Sequence, residues 1–254
     1  MDMSAVALSV VAQLAARSPR QASEAALVQA MKDAVISTDP AAFDTLRRDL
    51  RRARITEIDL VDGYFPAVAR ALGCDWVGDS AGFAAVTIGM ARLQTLLHRI
   101  VRTSPVELPV DSLSILVVLP LGEQHSFGVQ VLAEQLRRRG AFAHVLITPA
   151  MDRLQDLVCS GRYDGAMVSV GCDQGVEPAA RVVRSIRQAS QGRLWVAAGG
   201  SMLERMPDMQ AKLGADIATQ DPDLAMVGML TAKAARAVAE ARGTEGALQR
   251  LETA

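Results

Sequence analysis

Near the middle of the chain, seven residues read Gly122-Glu123-Gln124-His125-Ser126-Phe127-Gly128. The types and spacing suit metal ligation. An imidazole projecting from a loop can reach a metal, and an acid two residues earlier can accept its other ring proton or order the loop. A glycine three residues later lets the backbone approach a bulky group. Without a ligand, the same His125 reads as a solvated loop residue capping the next helix. Two further segments share this character. Ser169-Val170-Gly171 offers a small hydroxyl, and Gly199-Gly200-Ser201 lacks two side chains in a row. Together they describe a narrow cleft able to admit a flat aromatic group. Taken singly, such glycines also serve as ordinary strand-ending turns.

The elements around these segments place them at equivalent points. Ile115 to Pro120 is a continuous β-branched run, as expected of a strand buried on both faces. Further strands are expected at Phe142 to Ile147, Gly165 to Val170, Leu194 to Ala198 and Ala215 to Ala218. Helices are expected at Ser126 to Arg139, Met151 to Ser160, Glu177 to Ala189 and Pro222 to Ala241. Alternating strands and helices predict a parallel five-stranded, flavodoxin-like (Rossmann-like) α/β domain over residues 113–241. Ligands bind such sheets at the carboxyl ends of the strands. That is where Gly122 to Gly128, Ser169 to Gly175 and Gly199 to Met202 fall.

The first half has a helical rhythm instead. Ala26, Leu27, Ala30, Met31 and Val35 follow a 3.6-residue stripe. Further helices are expected from Asp39-Pro40, from Thr56 to a stop at Gly73, and from Asp79 or Ser80 to about residue 102. These make an all-α four-helix bundle over 21–102, after a tail of residues 1–20 and before a proline-containing linker.

The composition narrows the function. A net charge of −1 argues against a general affinity for nucleic acid or anionic membranes. No signal peptide and no apolar run of spanning length are visible, so a cytoplasmic protein without membrane contact is expected. Cys74, Cys159 and Cys172 form no close pair and read as buried small hydrophobes. His98 and His144 read as structural. Arg47, Arg48, Arg51, Arg52 and Arg54 form the one dense basic cluster, suited to a solvated helix face, an acidic partner or DNA phosphates. No catalytic triad, P-loop or zinc pattern is visible, so no enzyme activity is expected.

Taken jointly, Glu123-x-His125-x-x-Gly128, Ser169-Val170-Gly171 and Gly199-Gly200 resemble the D-x-H-x-x-G, S-x-L and G-G pattern of cobalamin-binding domains. The resemblance covers about residues 113 to 238. It implies that His125 is the lower axial ligand to cobalt, displacing dimethylbenzimidazole. It also implies that the nucleotide tail enters between the serine and the paired glycines, with Gly122, Gln124, Ser126, Phe127, Ser201 and Thr219 as further contacts. The departures are Glu for Asp at 123 and Gly for Leu at 171. In the helical half, Trp76 resembles a tryptophan of corrinoid methyltransfer proteins and adenosylcobalamin photoreceptors, whose following V-x-x-E-H is here Phe83-x-x-Val86-Thr87. The Glu-His pair is absent. The stretch from Trp76 to Gln94 is similar instead to the PpaA/AerR family of photosynthesis regulators in purple bacteria. That similarity implies an antirepressor acting through a transcriptional repressor, with Trp76, Phe83 and Val86 capping the corrin. Heme is an alternative cofactor, since a related domain in that group is a heme sensor. A corrinoid carrier in methyl transfer is the alternative function.

Overall fold

The computed structural model describes residues 19–103, 106–109, 111–123 and 126–252. The chain divides into two compact units at residue 104.

The first unit is helical. It comprises α1 (Pro19–Ile36), α2 (Pro40–Arg52), a single turn α3 (Glu57–Asp59), a π-helical turn (Leu60–Tyr64), α4 (Phe65–Val77) and α5 (Phe83–Thr103). Asp39 caps α2, its carboxylate accepting the Ala41 N–H at 2.9 Å. Thr56 and Asp59 form a capping box on α3. Met31, Val35, Phe65, Val68, Leu72 and Leu93 are fully buried between the helices. Arg92 of α5 donates to the carbonyls of Val35 and Ser37 at 2.8 and 2.7 Å, satisfying acceptors at the end of α1.

Two helix boundaries differ from expectation. Gly73 does not stop the third helix, which runs on to Val77. A glycine inside a helix costs about 1 kcal/mol. Burial of Phe65, Val68 and Leu72 on the same element outweighs that cost. The wide π turn lies just before Pro66, with the Phe65 N–H bonded to the Leu60 carbonyl, so the proline's missing donor falls in the first turn of α4. The last helix opens at Phe83, later than Asp79 or Ser80, because Asp79 adopts a left-handed φ of 54°. The expected tail begins outside the described residues, and Pro19 already lies in α1.

The second unit alternates β1 (Ser114–Leu119), α6 (Ser126–Arg138), β2 (Phe142–Ile147), α7 (Met151–Cys159), β3 (Gly165–Ser169), α8 (Val176–Ala189), β4 (Trp195–Gly199), α9 (Met209–Leu213), β5 (Ile217–Ala218) and α10 (Pro222–Glu252). The five strands are all parallel in the order β2-β1-β3-β4-β5. This is the expected flavodoxin-like α/β order. β1 is an interior strand, and its alternate residues enter two cores. Leu116 and Val118 pack with α7, α8 and α9, while Ile115, Val117 and Leu119 pack with α6 and α10. That two-sided burial explains the unbroken apolar run. β5 is shorter than expected. Asp216, ahead of it, is drawn out of the strand pattern by bonding the Val196 N–H at 2.7 Å and Arg187 at 2.9 Å. α10 continues past the expected end at Ala241 to Glu252. Among the described residues, no helix is long and apolar enough to cross a membrane.

Candidate functional site

The carboxyl ends of β1, β3 and β4 carry the segments singled out by their chemistry. His125 and Gln124 lie outside the described residues, between Glu123 and Ser126, the first residue of α6. The turn after β1 reverses at Gly122, whose φ is +90°, and the Glu123 N–H reaches back to the Pro120 carbonyl at 3.3 Å.

Glu123 is 5% exposed. Its Oε1 accepts the N–H groups of Gly171 and Cys172 at 2.7 and 3.0 Å, and the Cys172 thiol at 3.5 Å. These bonds order the loop after β3, and a pairing with His125 lies outside the described residues. Cys172 and Gly175 fall in the expected Ser169 to Gly175 segment, but the sequence carried no sign of their contact with Glu123. The thiol of Cys172 is pushed up from its ordinary value by burial, with the Glu123 carboxylate adding to the effect. A Cβ on Gly175 would lie 2.0 Å from Oε1, so this glycine makes room for the carboxylate.

The β3 and β4 ends are knitted together. Ser169 and Gly199 are register partners. The Val170 N–H donates to the Gly199 carbonyl at 2.7 Å, the Met202 N–H to the Val170 carbonyl at 3.1 Å, and the Ser201 hydroxyl to the Gly171 carbonyl at 3.1 Å. Where side chains at the glycine pair would stand, the chain itself crosses close by. A Cβ on Gly199 would sit 2.8 Å from the Thr219 carbonyl oxygen. One on Gly200, whose φ is +112°, would sit 2.3 Å from the Val170 carbonyl oxygen. Both glycines are demanded by backbone approach. The Val170 side chain is fully buried in the core, and Phe127 is buried as well, so neither ring nor isopropyl group faces outward. Thr219 uses its hydroxyl to accept the Asp221 N–H at 3.0 Å, ahead of α10.

Gly128 is the contrast. It lies in the first turn of α6, is exposed, and among the described residues its missing side chain meets nothing within 4 Å. No internal packing calls for glycine there, although it weakens the helix. Ser126 and Ser169 are half-buried beside these loops. The α6 side of the strand ends thus leaves room for a bulky group beside Gly128, and the sequence carries an imidazole three residues earlier, at His125.

Trp76, Phe83 and Val86 belong to the helical unit. Trp76 is 50% exposed and Phe83 73%, flanking an exposed Val77, while Val86 is half-buried. The segment is anchored by Asp75. Its carboxylate meets Lys32 at 2.6 Å, and its carbonyl accepts the Ser80 N–H at 2.9 Å. The hydrogen bond from Lys32 holds the Asp75 carboxyl below its ordinary value. Cys74 and Cys159 are exposed and Cys172 half-buried, against the expectation of buried thiols. All three sit at helix or strand ends, where side chains leave the core. His144 bonds the Tyr163 hydroxyl through Nδ1, and the phenol is pushed up by burial. Arg48, Arg51, Arg52 and Arg54 are exposed, and Arg47 and Arg52 pair loosely with Asp44 and Asp49 at 3.5 and 3.6 Å.

Fold and strand-end loops define a flavodoxin-like α/β unit with a helical unit ahead of it. The chain is 34% identical over 184 residues to the uncharacterized 20.5 kDa protein in the bchF-crtJ intergenic region of Rhodobacter capsulatus, spanning 72% of this chain and 96% of that one. It belongs to the family of that protein. No family model matches. Among solved structures, the monomethylamine corrinoid protein of Methanosarcina barkeri superposes with a TM-score of 0.61 at 12% identity, covering 82% of this chain and 96% of that chain. The fold is therefore shared with that protein. A cobalamin-binding protein from Desulfitobacterium hafniense DCB-2 gives 0.41 at 15% identity, covering 80% of this chain and 95% of that one, an overlap too loose to define a common fold.

Proposed function

We propose that this protein is a cobalamin-binding regulator of transcription that responds to light or redox chemistry at cobalt. It acts through a partner repressor and works by binding, not by catalysis. His125 is the lower axial ligand in this reading, and the α6 side of the strand ends receives the corrin. Bound cobalamin supplies a cobalt–carbon bond or a redox-active cobalt whose state biases one arrangement of the protein over another. The observation that carries the cofactor assignment is the E-x-H-x-x-G loop after the first strand of a fold shared with a corrinoid protein, with Gly128 facing open space. The relative's place in the bchF-crtJ region supports a role tied to photosynthesis genes.

The name of the Methanosarcina barkeri neighbour favours a second reading, a corrinoid carrier for methyl transfer. The missing Glu-His pair after Trp76 argues for the regulator. Purified protein loaded with adenosylcobalamin, or separately with heme, and illuminated separates the readings. A regulator binds cobalamin and changes its association with a repressor on illumination. A carrier keeps its association on illumination and, loaded instead with methylcobalamin, passes the cobalt-bound methyl group to the substrate of an acceptor enzyme. Binding of heme alone removes the cobalamin reading.

A further inference from the structure

We infer that Glu123 is a positioning residue, a strut whose carboxylate fastens the histidine loop after β1 to the loop after β3. It thereby fixes the chain two residues before His125. The purpose of the strut rests on the cofactor reading above; the strut itself is a property of the ligand-free chain.

Three donors converge on one oxygen. The N–H groups of Gly171 and Cys172 and the thiol of Cys172 all reach Oε1, at 2.7, 3.0 and 3.5 Å. A carboxylate 5% exposed needs such partners, because burial of an unpaired charge is strongly unfavourable. Bonds from main-chain amides to a charged acceptor are among the strong hydrogen bonds of proteins. The pocket is cut for glutamate. Gly175 lies where a Cβ would come within 2.0 Å of Oε1, 2.8 Å of Cδ and 3.0 Å of Cγ. The aspartate of the D-x-H-x-x-G pattern is shorter by one C–C bond, about 1.5 Å. From position 123 it would leave the Gly171 amide beyond hydrogen-bond range. The longer acid thus spans two loops. Ser201 then carries the tie onward to the β4 loop through the Gly171 carbonyl at 3.1 Å. The strand-end surface is pre-assembled before any ligand arrives, which lowers the ordering cost of binding.

The test is amide exchange by NMR on the full, cofactor-free chain, comparing wild type with Glu123→Asp, Glu123→Gln and Gly175→Ala. Glutamine keeps an acceptor oxygen at the same reach, so Gly171 and Cys172 stay protected within a few-fold. Aspartate and Gly175→Ala lower protection of those two amides by about tenfold or more, while the β1 amide of Val117 stays as in wild type. If Glu123→Asp fails to fold, Gly175→Ala displaces the same carboxylate from the other side. Wild-type protection in Glu123→Asp or in Gly175→Ala overturns the strut. A wild-type chain that binds no cobalamin yet shows the expected exchange defeats the cofactor reading and leaves the strut standing.

Discussion

Replacing Gly200 by alanine separates internal packing from ligand contact at the strand ends. Gly200 has φ 112° and ψ 173°, a region that residues with a side chain rarely occupy. Forcing alanine into it costs about 1–3 kcal/mol. The new Cβ would also stand 2.3 Å from the Val170 carbonyl oxygen and 2.8 Å from its carbon, so the β3 end must move. That movement strains the bonds from Val170 N–H to Gly199 and from Met202 N–H to Val170, each worth about 1 kcal/mol. The expected loss is roughly 3–5 kcal/mol, or a fall in midpoint on the order of 10 °C for a unit of this size. The two tryptophans fall in different units, so a Trp76→Phe background leaves Trp195 to report on the α/β unit alone. Urea titration of its fluorescence measures the change in the cofactor-free protein. A stability within 1 kcal/mol of the parent, with cobalamin binding abolished, would show that the glycine serves only a bound group and would refute the reasoning.

At Gly128 the opposite is expected: alanine stabilises the cofactor-free protein by up to about 1 kcal/mol through helix propensity, whereas leucine weakens cobalamin binding by filling the open space. Equal binding by the leucine variant counts against a corrin on the α6 side. Burial raises the Cys172 thiol, so alkylation at pH 8, followed by mass spectrometry, should label Cys172 more slowly than the exposed Cys74 and Cys159; equal rates contradict the buried Glu123 contact. Asp75 has a lowered folded-state value, so its pairing with Lys32 contributes stability above the unfolded value near 3.8 and loses it as pH falls through the lower folded value. Asp75→Asn should flatten that acid dependence of the helical unit, and an unchanged acid profile would show the pair to be idle.

How far the sequence carries can be judged at particular residues. The unbroken run from Ile115 to Leu119 announced an interior strand because both its faces enter cores. Strand alternation then placed Gly122, Ser169 and Gly199 at one end of the sheet. What the Gly199-Gly200 pair makes room for was not legible. A ligand slot and a crossing backbone leave the same two letters, and the close approach of Val170 and Thr219 appears only in the folded chain. The partners of Glu123 were hidden for a similar reason, since Gly171 and Cys172 come near it only when β1 and β3 pair. Gly73 looked like a helix stop because local propensity says so, and the buried stripe of α4 overrides it.

The central claim is ligation of cobalt by His125, and absorbance of the cobalamin-loaded protein tests it most directly. Spectra of wild type and His125→Ala are compared at neutral pH, and wild type is then titrated toward acid. With His125 on cobalt, the substitution shifts the spectrum and weakens binding. Acid produces the same shift in wild type, because a protonated imidazole cannot coordinate. Identical spectra for wild type and His125→Ala, with equal affinity, would contradict the account.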